Sequence, residues 1–284
     1  MRVGISFAML FAGTELAARI ERAEARLMGD AARAALRRRR GAGCFELPIG
    51  GGVATFTAPG SPLNKVAGVG FSGPLDPAEL DAVERAFAER GVPVQFELSC
   101  LADPKIAALL TRRGYALVNF ENVLGRRLPV ELRPRPEGIE IEESGEGERS
   151  AWLDLVVSGF ASPDVQGVAS FESFPRDELE RVMDDMAEAE GFVRYLARRD
   201  GAPAGGASQR IFDRVAQLCG AATLPEHRRH GVQSALLQAR LEIASRAGCD
   251  IAVVTTQPGS KSQENVQKRG FELLYTRAIL VREA

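Results

Sequence analysis

Apolar residues recur along this chain at two spacings, one typical of helices and one typical of strands. In the second half, helical spacing over residues 152–160, 179–186 and 231–243 predicts three helices. Between and after them, β-prone runs predict strands at Gly191–Arg198, Ala207–Phe212, Val215–Leu224, Asp250–Thr255 and Phe271–Val281, with a short helix at Gln263–Lys268.

The first half has counterparts of these elements. The same patterns predict helices at Thr14–Leu36 and Pro77–Arg90, and strands at Cys44–Leu47, Val53–Thr57, Val66–Phe71 and Val94–Ser99.

The two halves are related by an internal repeat. A shift of 156 residues places Arg113-Gly114-Tyr115 on Arg269-Gly270-Phe271 without a gap. The same shift places Val94–Ser99 on Asp250–Thr255. Because several elements match at one offset, the sequence predicts a duplicated α/β unit.

A segment rich in proline, glycine and glutamate, residues 126–149, separates the repeats. Such composition is typical of a domain boundary. We therefore predict one domain over residues 1–134 and a second over 135–284.

Composition excludes several classes of protein. The 284 residues are 45% hydrophobic and 26% charged, as in an ordinary globular protein, and 36 basic residues nearly balance 38 acidic ones. This balance argues against nucleic-acid binding, and no apolar run is long enough to predict a membrane span. The four cysteines form no CxxC pair and only two histidines are present, so we expect free thiols, a cytoplasmic location and no metal site.

One loop has the pattern of an anion-binding site. The predicted strand ending at Leu224 is followed by Pro225, a basic stretch containing Arg228 and Arg229, and a helix that starts near Gly231. A helix start offers unpaired N–H groups and the positive end of the helix dipole, both of which favour a diphosphate. A glycine lets the backbone approach the anion closely.

These residues resemble motif A of the GCN5-related N-acetyltransferases (GNAT), and residues 262–271 resemble the family's motif B. The resemblance covers most of residues 136–284 and implies two GNAT-like domains, each a mixed, mostly antiparallel sheet flanked by helices. It also implies an acetyl-CoA site. In that site the loop and helix start hold the diphosphate of the coenzyme, a strand pairs with the pantetheine arm, and motif B contacts the coenzyme. The residues so implied are Arg228, Arg229, His230, Gly231, Val232, Gln233 and Ser234 for the diphosphate, Ala221, Ala222 and Thr223 for pantetheine, and Asn265 in motif B.

Two features modify this expectation. Gln233 stands where the family has glycine or alanine, which adds bulk beside the phosphate. In the first half the corresponding residues are Ser72–Pro77, where two prolines remove N–H donors and Asp76 adds negative charge. We therefore expect the first half to have kept the fold and lost the coenzyme.

The sequence does not assign a catalytic acid or base. Asp213 and Glu226 are candidate bases, Tyr275 is a candidate acid, and Cys219 is a candidate nucleophile, but each also has a structural interpretation. The Arg37–Arg40 run is interpreted as a solvated face or as a contact for an anionic ligand, and Asn64-Lys65 as a loop that could reach the cleft.

The expected function is transfer of an acetyl group from acetyl-CoA to a primary amine of a small or amino-acid-like molecule by direct attack. A CoA-binding module without turnover is the alternative, and a protein acceptor is a third possibility. The sequence leaves the oligomeric state and the acceptor undetermined.

Overall fold

The computed structural model describes residues 9–40, 43–131, 136–161, 167–168 and 174–284. Its helices are α1 (Thr14–Arg38), α2 (Pro77–Ala88), α3 (Pro104–Arg112), α4 (Arg149–Ala161), α5 (Arg176–Ala187), α6 (Val232–Arg246) and α7 (Lys261–Gln267). Its strands are β1 (Phe45–Ile49), β2 (Gly52–Phe56), β3 (Lys65–Ala67), β4 (Val94–Ser99), β5 (Ala116–Arg127), β6 (Ile139–Glu143), β7 (Phe192–Arg199), β8 (Ala202–Phe212), β9 (Val215–Gln217), β10 (Ala221–Thr223), β11 (Ile251–Thr256) and β12 (Glu272–Arg282). No helix in these ranges is long and apolar enough to cross a membrane.

Helices cover both faces of one sheet. Alternate residues of β11 show the two layers, because Ile251 and Val253 pack against α1 whereas Ala252 packs against α6 and α7. Helices α4 and α5 lie on the α1 side, and α2 and α3 on the α6 side. Most neighbouring strands are antiparallel, and β3–β4 and β9–β11 are parallel pairs. The expected mixed, mostly antiparallel sheet flanked by helices is therefore confirmed.

The last strand of each half pairs with strands of the other half. Strand β12 lies between β4 and β5, and β5 in turn lies between β12 and β11, giving the order β1-β2-β3-β4-β12-β5-β11-β9-β8-β7-β6 with β10 on β8. The sheet is therefore continuous between the halves, and neither half contains all the strands that its own strands pair with.

The exchange follows the sequence repeat. In the antiparallel β5–β12 pair, Glu121 lies opposite Arg277, and these two residues are 156 positions apart, which is the offset of the repeat. Equivalent positions that face each other define an approximate two-fold axis, as in an isologous dimer interface. Here the two equivalent residues carry opposite charges.

Three predicted strands differ in extent, and the simplest case is β8, which begins at Ala202 and not at Ala207. Residues 215–224 form β9 and β10 with a break between them, because the backbone N–H of Ser208 faces the carbonyl oxygens of both Cys219 (3.3 Å) and Gly220 (3.1 Å). Two residues opposite one is a β-bulge, which bends the strand. Strand β3 ends at Ala67, not at residue 71, because Gly68 and Gly70 follow with φ of 78° and 99°.

The Arg37–Arg40 run joins the two halves and is not simply a solvated face. Arg38 and Arg39 at the end of α1 both pair with Asp185 of α5, at 3.1 and 2.6 Å, and Arg38 also pairs with Asp184. Asp185 is buried, so two guanidinium groups compensate its charge.

Candidate acetyl-CoA site

A gap opens in the sheet where β9 ends. Strand β11 pairs with β9 as far as Val253, where the carbonyl oxygen accepts a hydrogen bond from the N–H of Leu218 at 2.9 Å. After the bulge the chain continues along β8 as β10 and no longer pairs with β11. The edges of β10 and of residues 254–256 therefore face each other without a strand between them in the described part of the chain.

The main chain of β10 directs part of its polar groups toward this gap. Ala222 pairs with Gly206 of β8, and the N–H of Leu224 bonds to the carbonyl oxygen of Ala204 at 3.0 Å. In an antiparallel ladder the intervening residues point their N–H and C=O groups the other way. Ala221 and Thr223 therefore face the gap, whereas the predicted contribution of Ala222 is limited because its main chain pairs with β8.

Arg240 stabilises the bulge, a role that sequence analysis did not predict. Its side chain is buried on α6, and Nη1 donates to the carbonyl oxygens of Ser208 (2.9 Å) and Cys219 (3.3 Å). Ser208 belongs to β8 and Cys219 to the bulge, so Arg240 connects the two strands at this point. The available signal was an arginine among the apolar positions of an otherwise core-facing helix.

Helix α6 begins without a side-chain cap. Its N-cap is Gly231 with φ of 87°, and no side chain among the residues that the structure describes bonds to the first N–H groups. The N–H groups of Val232, Gln233 and Ser234 therefore remain for an external acceptor. Arg229 also has a left-handed backbone, with φ of 65°, which is unfavourable for a residue with a Cβ. Such local strain is found most often at functional sites.

The side chains around this helix start have distinct positions. Arg229 and His230 are exposed, whereas Arg228 is half-buried and its Nε donates to the carbonyl oxygen of Thr223 at 3.4 Å. Gln233 lies against β10, with Oε1 3.5 Å from the hydroxyl of Thr223, so its bulk is placed beside β10.

Motif B lies next to the same helix start. Arg269, which follows α7, donates to the hydroxyl of Ser234. Asn265 is half-buried on α7. The structure thus brings the two predicted motifs together at the start of α6.

The corresponding helix start in the first half is closed. Asp76 caps α2, where its carboxylate accepts a hydrogen bond from the N–H of Ala78 at 2.8 Å. After β3, the carbonyl oxygen of Gly70 accepts a hydrogen bond from the N–H of Asp103 at 3.0 Å, so the chain beyond β4 contacts the chain beyond β3. The negative cap and this contact occupy the positions that are open in the second half.

The structure gives structural roles to three of the candidate catalytic side chains. Asp213 lies in the turn between β8 and β9 and pairs with Arg22 at 3.2 Å, at the end of β9 away from the gap. The buried hydroxyl of Tyr275 donates to Glu21 at 2.7 Å. Burial raises the pKa of the Cys219 thiol to about 12, which is unfavourable for a nucleophile. The fourth candidate, Glu226, is exposed in a short 3-10 helix.

Charged side chains from both halves meet under α1, and sequence analysis did not predict this. We call Glu21, Glu24, Lys65, Glu97, Glu121 and Arg277 the junction cluster. Lys65, expected only to reach the cleft, bonds to Glu97. Arg277 bonds to Glu21 at 2.8 Å and lies 3.3 Å from Glu121. In the described ranges no group of three or more His, Cys, Asp or Glu residues is arranged to hold a metal ion.

Comparison with known proteins defines the class. Residues 163–271 match the family described as "Acetyltransferase (GNAT) family". A search of curated protein sequences finds no match. The matched residues lie in the second half of the chain, and the family that they match is a class of enzymes that transfer an acetyl group from acetyl-CoA.

Solved structures show the same fold over most of the chain. A GCN5-related N-acetyltransferase from Kribbella flavida is 22% identical, with a TM-score of 0.62, and the match covers 90% of this chain and 97% of that one. A tandem GNAT protein from the clavulanic acid biosynthesis pathway is 16% identical with a TM-score of 0.58, and the match covers 96% and 97%. A second GCN5-related N-acetyltransferase, from Sphaerobacter thermophilus, is 18% identical with a TM-score of 0.54, covering 72% and 67%. The architecture is thus that of two GNAT-like domains in tandem.

Proposed function

We propose that this protein acetylates a primary amine of a small molecule, with acetyl-CoA bound by the second half only. The observation that carries the proposal is the difference between the two helix starts. Helix α6 begins with an uncapped glycine beside an open gap, whereas α2 is capped by Asp76. A bound diphosphate gains hydrogen bonds and a favourable dipole at the first site and meets a carboxylate at the second.

The proposed coenzyme position extends from this helix start into the gap. The N–H groups of residues 229–234 hold the diphosphate, with Arg228 and Arg229 adding positive charge and Asn265 contacting the coenzyme from α7. The pantetheine arm pairs with Ala221 and Thr223 as an added strand. An N–H at the same edge polarises the thioester carbonyl, because a donor placed there stabilises the oxyanion that forms during attack.

The proposed domains are residues 1–134, without a coenzyme, and residues 135–284, with acetyl-CoA. Because β5 of the first half lies beside β11, the first half supplies one wall next to the gap. This position favours an acceptor bound near the junction of the halves.

Calorimetric titration with acetyl-CoA tests the proposal. The wild type is expected to bind about one molecule per chain, and Gly231→Asp is expected to bind none, because the new side chain crowds and repels the diphosphate. A Cβ at residue 231 already lies 2.9 Å from Cγ of Pro136, so the fold of the variant is checked by circular dichroism. Glu142→Gln, an exposed position on β6, is the control.

The outcomes separate the alternatives. Absence of binding to the wild type contradicts the proposal as a whole. Binding that persists in Gly231→Asp would place the coenzyme elsewhere. Binding without acetyl transfer to any amine in a broad screen would instead favour a CoA-binding module.

A further inference from the structure

Polar side chains of α1 contact the sheet both at the end of β9 and in the junction cluster. Glu24 of α1 is half-buried and accepts a hydrogen bond from Gln217 of β9 at 3.1 Å. Its negative charge raises the pKa of Cys219, at the bulge, and also that of Glu121. Glu24 thus lies at the end of β9, where the gap opens, and its charge acts on Glu121.

Strand exchange places Glu121 at the end of β11. Asn122 pairs with Thr256, the last residue of β11, so Glu121 lies just beyond that end. Val123 packs against α1, and side chains alternate along a strand, so Glu121 also faces the α1 side. The gap lies across β11, two strand spacings or about 10 Å from the Glu121 backbone. This separation is of the order of the length of a small amine.

Glu121 is half-buried among charged side chains. The side chain retains 28% exposure, yet burial and the charge of Glu97 raise its pKa to about 8, against the opposing effects of Arg277 and Lys65. The charged groups that face it are Glu97 of β4, Arg277 of β12, Lys65 of β3 and Glu24 of α1, with Glu21 and Tyr275 beside Arg277.

Acidic groups outnumber basic groups in the junction cluster. The junction cluster holds four carboxyl groups and two cationic groups. Glu97 is buried, and its Oε2 has no hydrogen-bond partner in the described residues, although the Arg277 guanidinium lies 3.6 Å away and Lys65 bonds to the other oxygen. A buried carboxylate oxygen without a hydrogen bond is costly, and a cationic ligand would reduce that cost.

We propose that Glu121, contributed by the first half, accepts the proton of the acceptor's ammonium group in the active site of the second half, and that Glu24 and Glu121 together select a cationic amine. The inference rests on the proposed function, since it needs acetyl-CoA in the gap. It makes a diamine a better acceptor than an amino acid, whose carboxylate would meet like charge.

Proton transfer to Glu121 precedes the transfer of the acetyl group. The ammonium gives one proton to the carboxylate of Glu121, and the neutral nitrogen then attacks the thioester carbon to form a C–N bond. The C–S bond breaks with its electron pair on sulfur, and the thiolate takes the second proton from nitrogen. Glu121 releases its proton to solvent, so the products are the acetamide, CoA and one proton.

Binding of matched probes to the CoA-saturated protein tests the selection. Cadaverine and 5-aminopentanoate have the same chain length and differ in one terminal group, a second ammonium or a carboxylate. Above pH 8, where Glu121 carries its negative charge, we expect cadaverine to bind the wild type at least about tenfold more tightly, which corresponds to about 1.4 kcal/mol. Glu121→Gln and Glu24→Gln should each reduce this preference, whereas Glu142→Gln should retain it. Equal affinity of the two probes for the wild type would overturn the proposal.

The pH dependence of kcat/KM for cadaverine tests the proton transfer. In the wild type the rate should rise through a pKa near 8, and Glu121→Gln should lower kcat by about 100-fold and lose that limb. Glu24→Gln removes a negative charge, so the limb should move to lower pH; this variant keeps the test valid should Glu121→Gln not fold. An unchanged limb in Glu24→Gln, or an unchanged kcat in Glu121→Gln, contradicts the role of Glu121.

Failure of this inference differs from failure of the proposed function. A wild type that binds acetyl-CoA and acetylates amines while Glu121→Gln remains fully active contradicts only the inference. A wild type that does not bind acetyl-CoA contradicts the proposed function on which it rests.

Discussion

Single residues that cap corresponding helices, or that share one position of the repeat, differ chemically between the two halves. Gly231 leaves the start of α6 open, whereas Asp76 caps α2 with its own carboxylate. Glu121 and Arg277 occupy the same position of the repeat and face each other with opposite charges. Small local changes have thus made two similar halves chemically different.

At this scale the ionisation of Glu121 predicts a pH-dependent stability. Its pKa is raised from 4.5 to about 8 in the folded protein, so the protonated carboxyl stabilises the fold. This contribution is complete below the lower value and is lost as pH rises to the upper one. We expect the free energy of unfolding of the wild type to fall relative to Glu121→Gln over this range, by at most about 1.4 kcal/mol per pH unit.

Urea denaturation of both proteins across this pH range measures the difference. Glu142→Gln, an exposed glutamate on an edge strand, should give a curve parallel to that of the wild type. Parallel curves for Glu121→Gln as well would mean that its pKa is not raised in the folded protein.

At the scale of elements, the departure of β10 from β11 creates the gap. A bulge at residues 219–220 accepts a hydrogen bond from Arg240 and divides one strand, whereas β8 beside it is a single strand. The result is an edge with alternating functions, in which Ala222 maintains the sheet while Ala221 and Thr223 face the gap.

Proline substitutions separate these functions. Thr223→Pro removes an N–H that faces the gap and leaves the β8 ladder intact, so we expect acetyl-CoA to bind about three- to tenfold more weakly with little change in stability. Ala222→Pro removes an N–H that pairs with β8 and should lower the melting temperature. Calorimetry and thermal melting measure the two effects. A Thr223→Pro variant with wild-type affinity would argue against pairing of pantetheine at this edge.

At the scale of the whole molecule, exchanged strands make the halves interdependent. Strand β12 completes the first half between β4 and β5, and β5 lies between β11 and β12. Ion pairs between α1 and α5 add a second connection. An unpaired central strand edge exposes main-chain polar groups and apolar side chains, so separation of the halves is costly.

We therefore expect that residues 1–134 and residues 135–284, expressed separately, do not form stable folded monomers, and that mixing them restores a one-to-one complex. Circular dichroism and sedimentation measure folding and association. A full-length chain cut at a protease site inserted after Glu131 should stay associated, as the matched control. Stable, independently melting halves would show that the exchanged strands are dispensable.

The sequence by itself determined the duplication, most helices and strands, and the basic helix start, because these depend on local periodicity, on one constant offset and on a glycine next to a helix. Tertiary structure alone decided the strand exchange, the bulge that divides residues 215–224, and the meeting of Lys65, Glu97 and Glu121 with Arg277. Pairing between strands and contacts between buried charges join residues far apart in the chain, and local patterns carry no information about such partners. The basic, uncapped start of α6 was therefore predictable from sequence, whereas the junction cluster required the folded molecule.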